Sequence, residues 1–393
     1  MQQSAKRILT THAGSLPRPR SLVALHTAKY AGTTIEESVL QQAAEDASRA
    51  VIAKQIEAGI AIVNNGEMAR ESFFTYVQHR MTGFGGTSTR PIMADLTRYP
   101  GSLERRRQAM GTEERVDLLK APKAIAAVSY VSAAPIEQEC RQLKRLLGET
   151  EGGFSEAFIS SPSPGIIAAA MQNEHYEDLE AYVNAVAEAL RTEYATIVAA
   201  GFLLQIDAPD LALERHTLFQ DKPLEDFLAF VRLVVAAINK ALTGIPREQV
   251  RLHVCWGNYE GPHDCDVPLE DIWPDISKIN AGAILLSMAN PRHAHEYHCF
   301  EDPAFLGDKL LVSGVIDTTT NYVEHPQVVA DRIERIAKAV GDPGRIIAGT
   351  DCGFETAAGS KMVIEDVVWA KLKSLSEGAA IASKRLLGQD SAQ

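Results

Sequence analysis

The sequence predicts an α/β fold of the (β/α)8 TIM-barrel class, on three observations. Eight short apolar runs recur along the chain, most of them are separated by amphipathic helical patterns, and polar residues gather at the C-terminal ends of the runs. The runs are Ile8 to Ala13, Ile60 to Asn65, Ala157 to Ser161, Phe202 to Asp207, Val250 to Trp256, Ala283 to Ala289, Leu310 to Asp317 and Arg345 to Cys352. Near-continuous apolar strands are those of a parallel sheet covered on both faces. The intervening patterns, among them Glu37 to Ala58, Leu179 to Ala200, Leu224 to Leu242, Pro326 to Val340 and Val363 to Ser383, read as helices. Strand then helix, eight times over, is the arithmetic of the barrel.

One segment breaks the alternation. Residues 71–156 hold Phe84-Gly85-Gly86, an arginine run and an extra strand-like piece, Ala124 to Val131. This reads as an insertion after the second strand, a hairpin with helices lidding one end. No linker divides the chain, so residues 1–393 are expected to form a single catalytic barrel.

Composition narrows the function. The chain has 393 residues, 46% hydrophobic and 23% charged, with a net charge of −12. That balance argues against a broad nucleic-acid footprint. The run Arg105-Arg106-Arg107 has Glu104, Glu113 and Glu114 close by and reads as a solvated helix face. No apolar stretch approaches the ~20 residues of a membrane span, and no signal-peptide apolar region follows Met1. Five cysteines without framework spacing speak against a disulfide scaffold. A cytoplasmic enzyme with reduced thiols is expected. Nothing in the sequence decides between a monomer and a homo-oligomer.

Barrel active sites lie at strand C-termini. Those ends carry Gly14-Ser15, Glu67, Ser163, Asp207, His253 with Cys255, Ser287, Asp317 and Cys352. His253-x-Cys255 puts two donors on one strand face, because side chains alternate with period two. With Cys352 they form a zinc-type donor set that leaves a coordination position open for a reactant; the bland alternative is cysteines packed as small hydrophobes. Asp207, ending an apolar strand, suits a substrate amine or a helix N-cap. Glu67, in Asn65-Gly66-Glu67, suits an ammonium or is a plain loop carboxylate. Ser15, after Gly14, suits a carboxylate or a simple turn. His12 reads as a satisfied core histidine, and Cys140 as inert packing. The spacing His293-x-His295-Glu296 invites a second metal site, but on a helix the two imidazoles do not share a face, so a solvated or supporting role is expected. No P-loop, dinucleotide-binding glycine motif or nucleophile elbow is present.

Taken together, Thr10-Thr11-His12-Ala13-Gly14-Ser15, Asn65-Gly66-Glu67, Gln205-Ile206-Asp207, His253-Val254-Cys255, Asn290-Pro291-Arg292-His293 and Asp351-Cys352-Gly353 give a resemblance that runs nearly end to end. The chain resembles the catalytic C-terminal barrel of the cobalamin-independent methionine synthases, and more closely their short single-barrel relatives. The resemblance implies zinc on His253, Cys255 and Cys352. It implies homocysteine held by Ser15, Glu67 and Asp207, with Asp207 catalytic, and 5-methyltetrahydrofolate as methyl donor. Two departures stand out. The family's fourth zinc ligand, a Glu, is replaced by Ser287. The His that follows the seventh strand of the full-length enzyme is absent from Asp317-Thr318-Thr319-Thr320. The full-length enzyme's folate-gripping N-terminal barrel also has no counterpart within the sequence.

Zinc with two thiolates is neutral, where an added Glu would make it anionic. A neutral site is the stronger Lewis acid and leaves the bound sulfur less electron-rich, which suits a reactive electrophile. Two partner sets are therefore expected for a small thiol: a methyl donor, giving methionine from homocysteine, or an epoxide opened by a thiol such as coenzyme M, formally a lyase reaction. A metal-binding or regulatory barrel without turnover is a third expectation, and it would leave Glu67 and Asp207 without a task.

Overall fold

The computed structural model describes residues 1–110 and 115–388. Eight parallel strands form one sheet in the order β1-β8-β7-β6-β5-β4-β3-β2. They are β1 (Leu9–Thr10), β2 (Ile62–Val63), β3 (Glu156–Pro162), β4 (Leu203–Asp207), β5 (Val250–Val254), β6 (Ala283–Leu286), β7 (Leu310–Ile316) and β8 (Ile346–Thr350). Every apolar run of the sequence supplies one strand. Across the remaining seam the Ala61 N–H donates to Thr10 O at 3.1 Å, bringing the first two strands together. The result is a nearly closed barrel.

Apolar side chains fill two layers. Leu9, Ile62, Phe158, Leu203, Leu285, Val312 and Ile347 pack inside the barrel. A larger layer, with Ile206, Leu252 and Leu286 among its members, packs between the sheet and the surrounding helices. Alternation along β4 and β5 thus sends Leu203, Gln205 and Asp207 inward with Arg251 and His253. Register pairs Gln205 with Arg251 and Asp207 with His253. Two rungs of polar side chains therefore stand side by side beneath the mouth.

Between β2 and β3 the chain makes its long excursion. Phe84–Gly85 and Lys123–Ala124 pair antiparallel, so the strand-like piece from Ala124 to Val131 is strand only at its start. Helices Ala94–Arg98 and Pro100–Met110 follow the first of these strands. The last part differs in kind: helix Ala134–Gly148 packs between helices Glu37–Glu57 and Leu179–Ala199 and takes a place in the outer ring.

Buried charges fasten the excursion to the barrel. Glu139 binds Arg70 at 3.0 Å and Arg80 at 2.7 Å, and Arg80 also binds Glu193 at 2.9 Å. Arg70 donates to Ser160 O on β3 at 2.7 Å. Burial would raise the Glu139 carboxyl, but the two guanidinium groups hold it at about 2. Glu139→Ala leaves both arginines without their shared carboxylate. The variant is expected to lose about 3–5 kcal/mol in urea unfolding, and a loss below about 1 kcal/mol would show that the pairs are not buried as described.

Among the described residues, no helix is long and apolar enough to cross a membrane.

Candidate active site

His253 and Cys255 leave the end of β5, and Cys352 follows β8. A register shift in β8 between Gly349 and Thr350 re-aims the chain just before Cys352. Asp351 then anchors the turn: its carboxylate accepts the N–H groups of Met288 and Ala289, both at 2.9 Å, and of Asn290 at 2.7 Å. The ends of β6 and β8 are thereby tied together and Cys352 is held toward β5.

The three donor atoms of His253, Cys255 and Cys352 lie within 4.8 Å of one another, and all three residues are buried. The two sulfurs are 3.9 Å apart. A disulfide needs ~2.05 Å, whereas two thiolates bound tetrahedrally at ~2.3 Å stand about 3.8 Å apart. His253 Nδ1 contacts Asp207 Oδ1 at 2.9 Å, and its Nε2 is buried with no hydrogen-bond partner. A buried imidazole nitrogen with nothing to bind, beside two sulfurs at that spacing, fits a metal ion. The carboxylate on the other nitrogen fixes the tautomer.

The electrostatics agree. Burial alone would lower His253, but the hydrogen bond to Asp207 and the Cys255 sulfur raise it to about 10. The contact with Cys352 draws Cys255 well below the ordinary thiol range, and the same contact pushes Cys352 well above it. A cation bound there would take the place of protons on these groups.

Asp207 is one link of a longer chain. Gln205 Nε2 donates to Asp207 Oδ1 at 2.7 Å and to Ala13 O at 2.5 Å. Arg251 Nε donates to Gln205 Oε1 at 2.8 Å, with further bonds to Thr11 Oγ1 and His12 O, each 3.0 Å. Oδ2 of Asp207 accepts no hydrogen bond from any described residue. The carboxylate does not act as a helix cap; the next helix, Asp210–Leu213, has Pro209 at its N-cap.

Glu67 faces the same space. It is a non-glycine residue in the left-handed region, at φ 61°, and its N–H is held by Asn65 Oδ1 at 3.0 Å. Such strain is kept where the surroundings impose it. Oε1 accepts from Ser160 Oγ at 2.7 Å, while Oε2 is buried without a partner. Gly14 leaves room for this carboxylate: a Cβ there would fall 2.4 Å from Oε1. Burial, with the Asp207 charge beside it, raises the Glu67 carboxyl to about 7. The Gly14 N–H is taken by His12 Nδ1 at 3.2 Å. The N–H and Oγ of Ser15 bind no described residue.

Ser15, Glu67, Asp207, His253, Cys255 and Cys352 all line one cavity of about 290 Å³. Of the other strand-end residues, Ser163 caps helix Pro164–Ala170 through a 3.0 Å bond from Ile166 N. Ser287 donates its hydroxyl to Asp351 O at 2.9 Å. Asp317 closes a turn by accepting from Thr319 N at 2.8 Å and Thr320 N at 2.9 Å. His12 is buried, lowered to about 4 by desolvation and bonded to Gln55 at 2.8 Å. Burial pushes the Cys140 thiol up to about 12.

The histidine-rich segment divides. His295 is exposed, and His293 is buried. His293 Nε2 and His263 Nδ1 reach the same oxygen of Asp266 at 2.7 and 2.8 Å, and His216 Nδ1 lies 2.7 Å from the other. The His263 and His293 contacts are hydrogen bonds, with nitrogen and oxygen closer together than ligands around an ion stand. The network braces Trp256, whose ring stacks on His293 at 3.9 Å, next to Cys255. Spacing gave no sign of His216, which ends the 3-10 turn Glu214–His216, or of Asp266, in the loop after β5.

Comparison with known proteins places the chain in a family. Residues 158–371 match the family model for the cobalamin-independent synthase catalytic domain. Methionine synthase of Thermococcus kodakarensis is 27% identical over 384 residues, 96% of this chain and 94% of that protein. That of Saccharolobus solfataricus is 24% identical over 380 residues, 96% of this chain and 95% of that protein. A B12-independent methionine synthase from a Shewanella species, solved in complex with selenomethionine, shares the fold. Its TM-score is 0.72 at 24% identity, covering 98% of this chain and 100% of that one. The family match spans more than half of the residues, including His253, Cys255 and Cys352, and the chain belongs to the cobalamin-independent methionine synthase catalytic-domain family.

Proposed function

We propose that the chain is a zinc-dependent enzyme that alkylates a small thiol, most simply by transferring a methyl group from 5-methyltetrahydrofolate or a similar donor to homocysteine, giving methionine. The observation that carries this reading is the meeting of the His253 imidazole and the sulfurs of Cys255 and Cys352 at a cavity that also presents Glu67 and Asp207. Its membership in the cobalamin-independent methionine synthase catalytic-domain family and its similarity to methionine synthases support the thiol and the methyl donor.

Bound zinc supplies one thing: it keeps a thiol in its nucleophilic, deprotonated form at neutral pH. The chain's own groups do the rest. Asp207 holds the Nδ1–H of His253, so that Nε2 faces the sulfurs. Glu67 Oε2 and Asp207 Oδ2 accept the substrate ammonium, and the N–H and hydroxyl of Ser15 take its carboxylate. Three anchors fix the thiol carbon chain, so the sulfur meets the electrophile in one orientation.

The donor choice is tested by supplying zinc-loaded protein with homocysteine and 5-methyltetrahydrofolate, and separately with a small thiol and an epoxide, and reading products by mass. Methionine from the first mixture supports methyl transfer. The second product would favour epoxide opening, the reading that Ser287 supports because it stands in place of an anionic ligand. No thioether from either mixture would sink thiol alkylation.

A pH dependence follows. The ammonium is held by ionised Glu67, whose carboxyl titrates at about 7. As pH falls through that value the carboxylate gains a proton, and the KM for homocysteine is expected to rise about tenfold per unit below it. Glu67→Gln should remove that step. A KM that is flat between about pH 6 and about pH 8 would remove Glu67 from amine binding.

A further inference from the structure

The cavity wall is of two kinds. Glu67 and Asp207 lie at the strand ends; another part of the wall comes from the excursion between β2 and β3. It presents Ile92, Leu96, Leu118 and Leu119, with Arg106 and Arg115 among them. Its own acid, Asp117, turns back to cap Leu119 N at 3.0 Å. A third arginine, Arg90, is paired with Glu214.

Arg106 differs from Arg105, its neighbour in the arginine run. Arg105 is exposed and paired with Glu260 at 3.1 Å. Arg106 makes no ion pair with any described residue; its guanidinium lies over the Tyr259 ring, 5.3 Å from the centre. Asp95, the nearby carboxylate, is committed to Tyr259 Oη at 2.5 Å, His263 N at 2.9 Å and Leu96 N at 2.7 Å. Desolvation lowers Arg106 from the ordinary guanidinium value, and Arg115 adds to that. The expected solvated face is thus corrected at this position: the helix turns Arg106 into the cavity wall. Glu113 and Glu114 of that expectation lie outside the described residues.

A half-buried guanidinium among apolar side chains is costly until an anion joins it. In the proposed reading Ser15 takes the substrate carboxylate by hydrogen bonds and Glu67 and Asp207 take its ammonium, which leaves Arg106 for an anion of the other reactant. We infer that Arg106 is a recognition subsite for the electrophile, which carries an apolar, ring-sized body ending in a carboxylate-type anion. This rests on the reading of the cavity as a thiol-alkylating site.

The test uses zinc-loaded full-length protein, homocysteine and two synthetic electrophiles, 4-(bromomethyl)benzoate and its uncharged amide. In both, the sulfur forms the new S–C bond as C–Br breaks, bromide leaves with the electron pair, and the thiol proton passes to buffer. Relative to their ratio with free homocysteine, the native protein should favour the benzoate about tenfold, as a charged hydrogen bond allows. Arg106→Met should return the ratio to that of free solution, and Arg106→Lys should keep part of the preference. Acceleration of both reagents without a charge preference, or a preference that survives Arg106→Met, overturns the subsite alone. No acceleration of either overturns the thiol-site reading, and the subsite falls with it.

Discussion

Cys352→Ser is expected to strip most of the metal from the protein and to slow thioether formation by at least about a thousandfold. A Lewis acid contributes several kcal/mol to such a step. The loss should come without unfolding. Cys352 follows β8, outside the barrel's apolar interior, and serine nearly preserves its volume. Metal content after desalting, measured beside a thermal melt, reads both halves of the expectation. Full zinc occupancy in the variant would remove Cys352 from the ligand set; a collapsed melt would make the residue structural.

Asp207→Asn carries the second large effect, and it separates two tasks of one side chain. The amide keeps an oxygen for the Gln205 and His253 contacts, both of which fall on Oδ1. The negative charge is lost. Zinc affinity should fall about 10–100-fold, the usual cost of losing a carboxylate behind a ligating imidazole, and the KM for homocysteine should rise. Glu67→Gln should raise the KM while leaving zinc affinity alone, since Glu67 has no contact with His253. Competition with a colorimetric chelator measures the first quantity and steady-state kinetics the second. If Asp207→Asn changes only the KM, the carboxylate orients nothing.

The barrel was legible because its strands are buried on both faces, so each reads as an unbroken apolar run. His253 and Cys255 were legible because alternation alone puts them on one face. What lay beneath them was not. Arg251 and Gln205 interrupt apolar runs and carry no meaning until register sets them side by side. Asp351 looked like a neighbour of a ligand; its three backbone contacts depend on β6 arriving beside β8. The cluster around Asp266 joins loops whose spacing carries no signal. Arg106 was hidden by its own run, because successive helical residues point about 100° apart and three arginines in a row need not share an environment. Helix Ala134–Gly148 was absorbed into the insertion because the alternation had already been broken before it.

The two halves of the cavity have separate origins, and this bears on how such a protein can diversify. The side proposed to activate sulfur is drawn from several strand ends held in place by the sheet. The side proposed to receive the second molecule is one continuous detour, tethered by Arg70, Arg80 and Glu139. Sequence drift within the detour can retune which molecule is admitted, while the reactive centre, whose geometry is inherited from the ladder of strands, stays as it was.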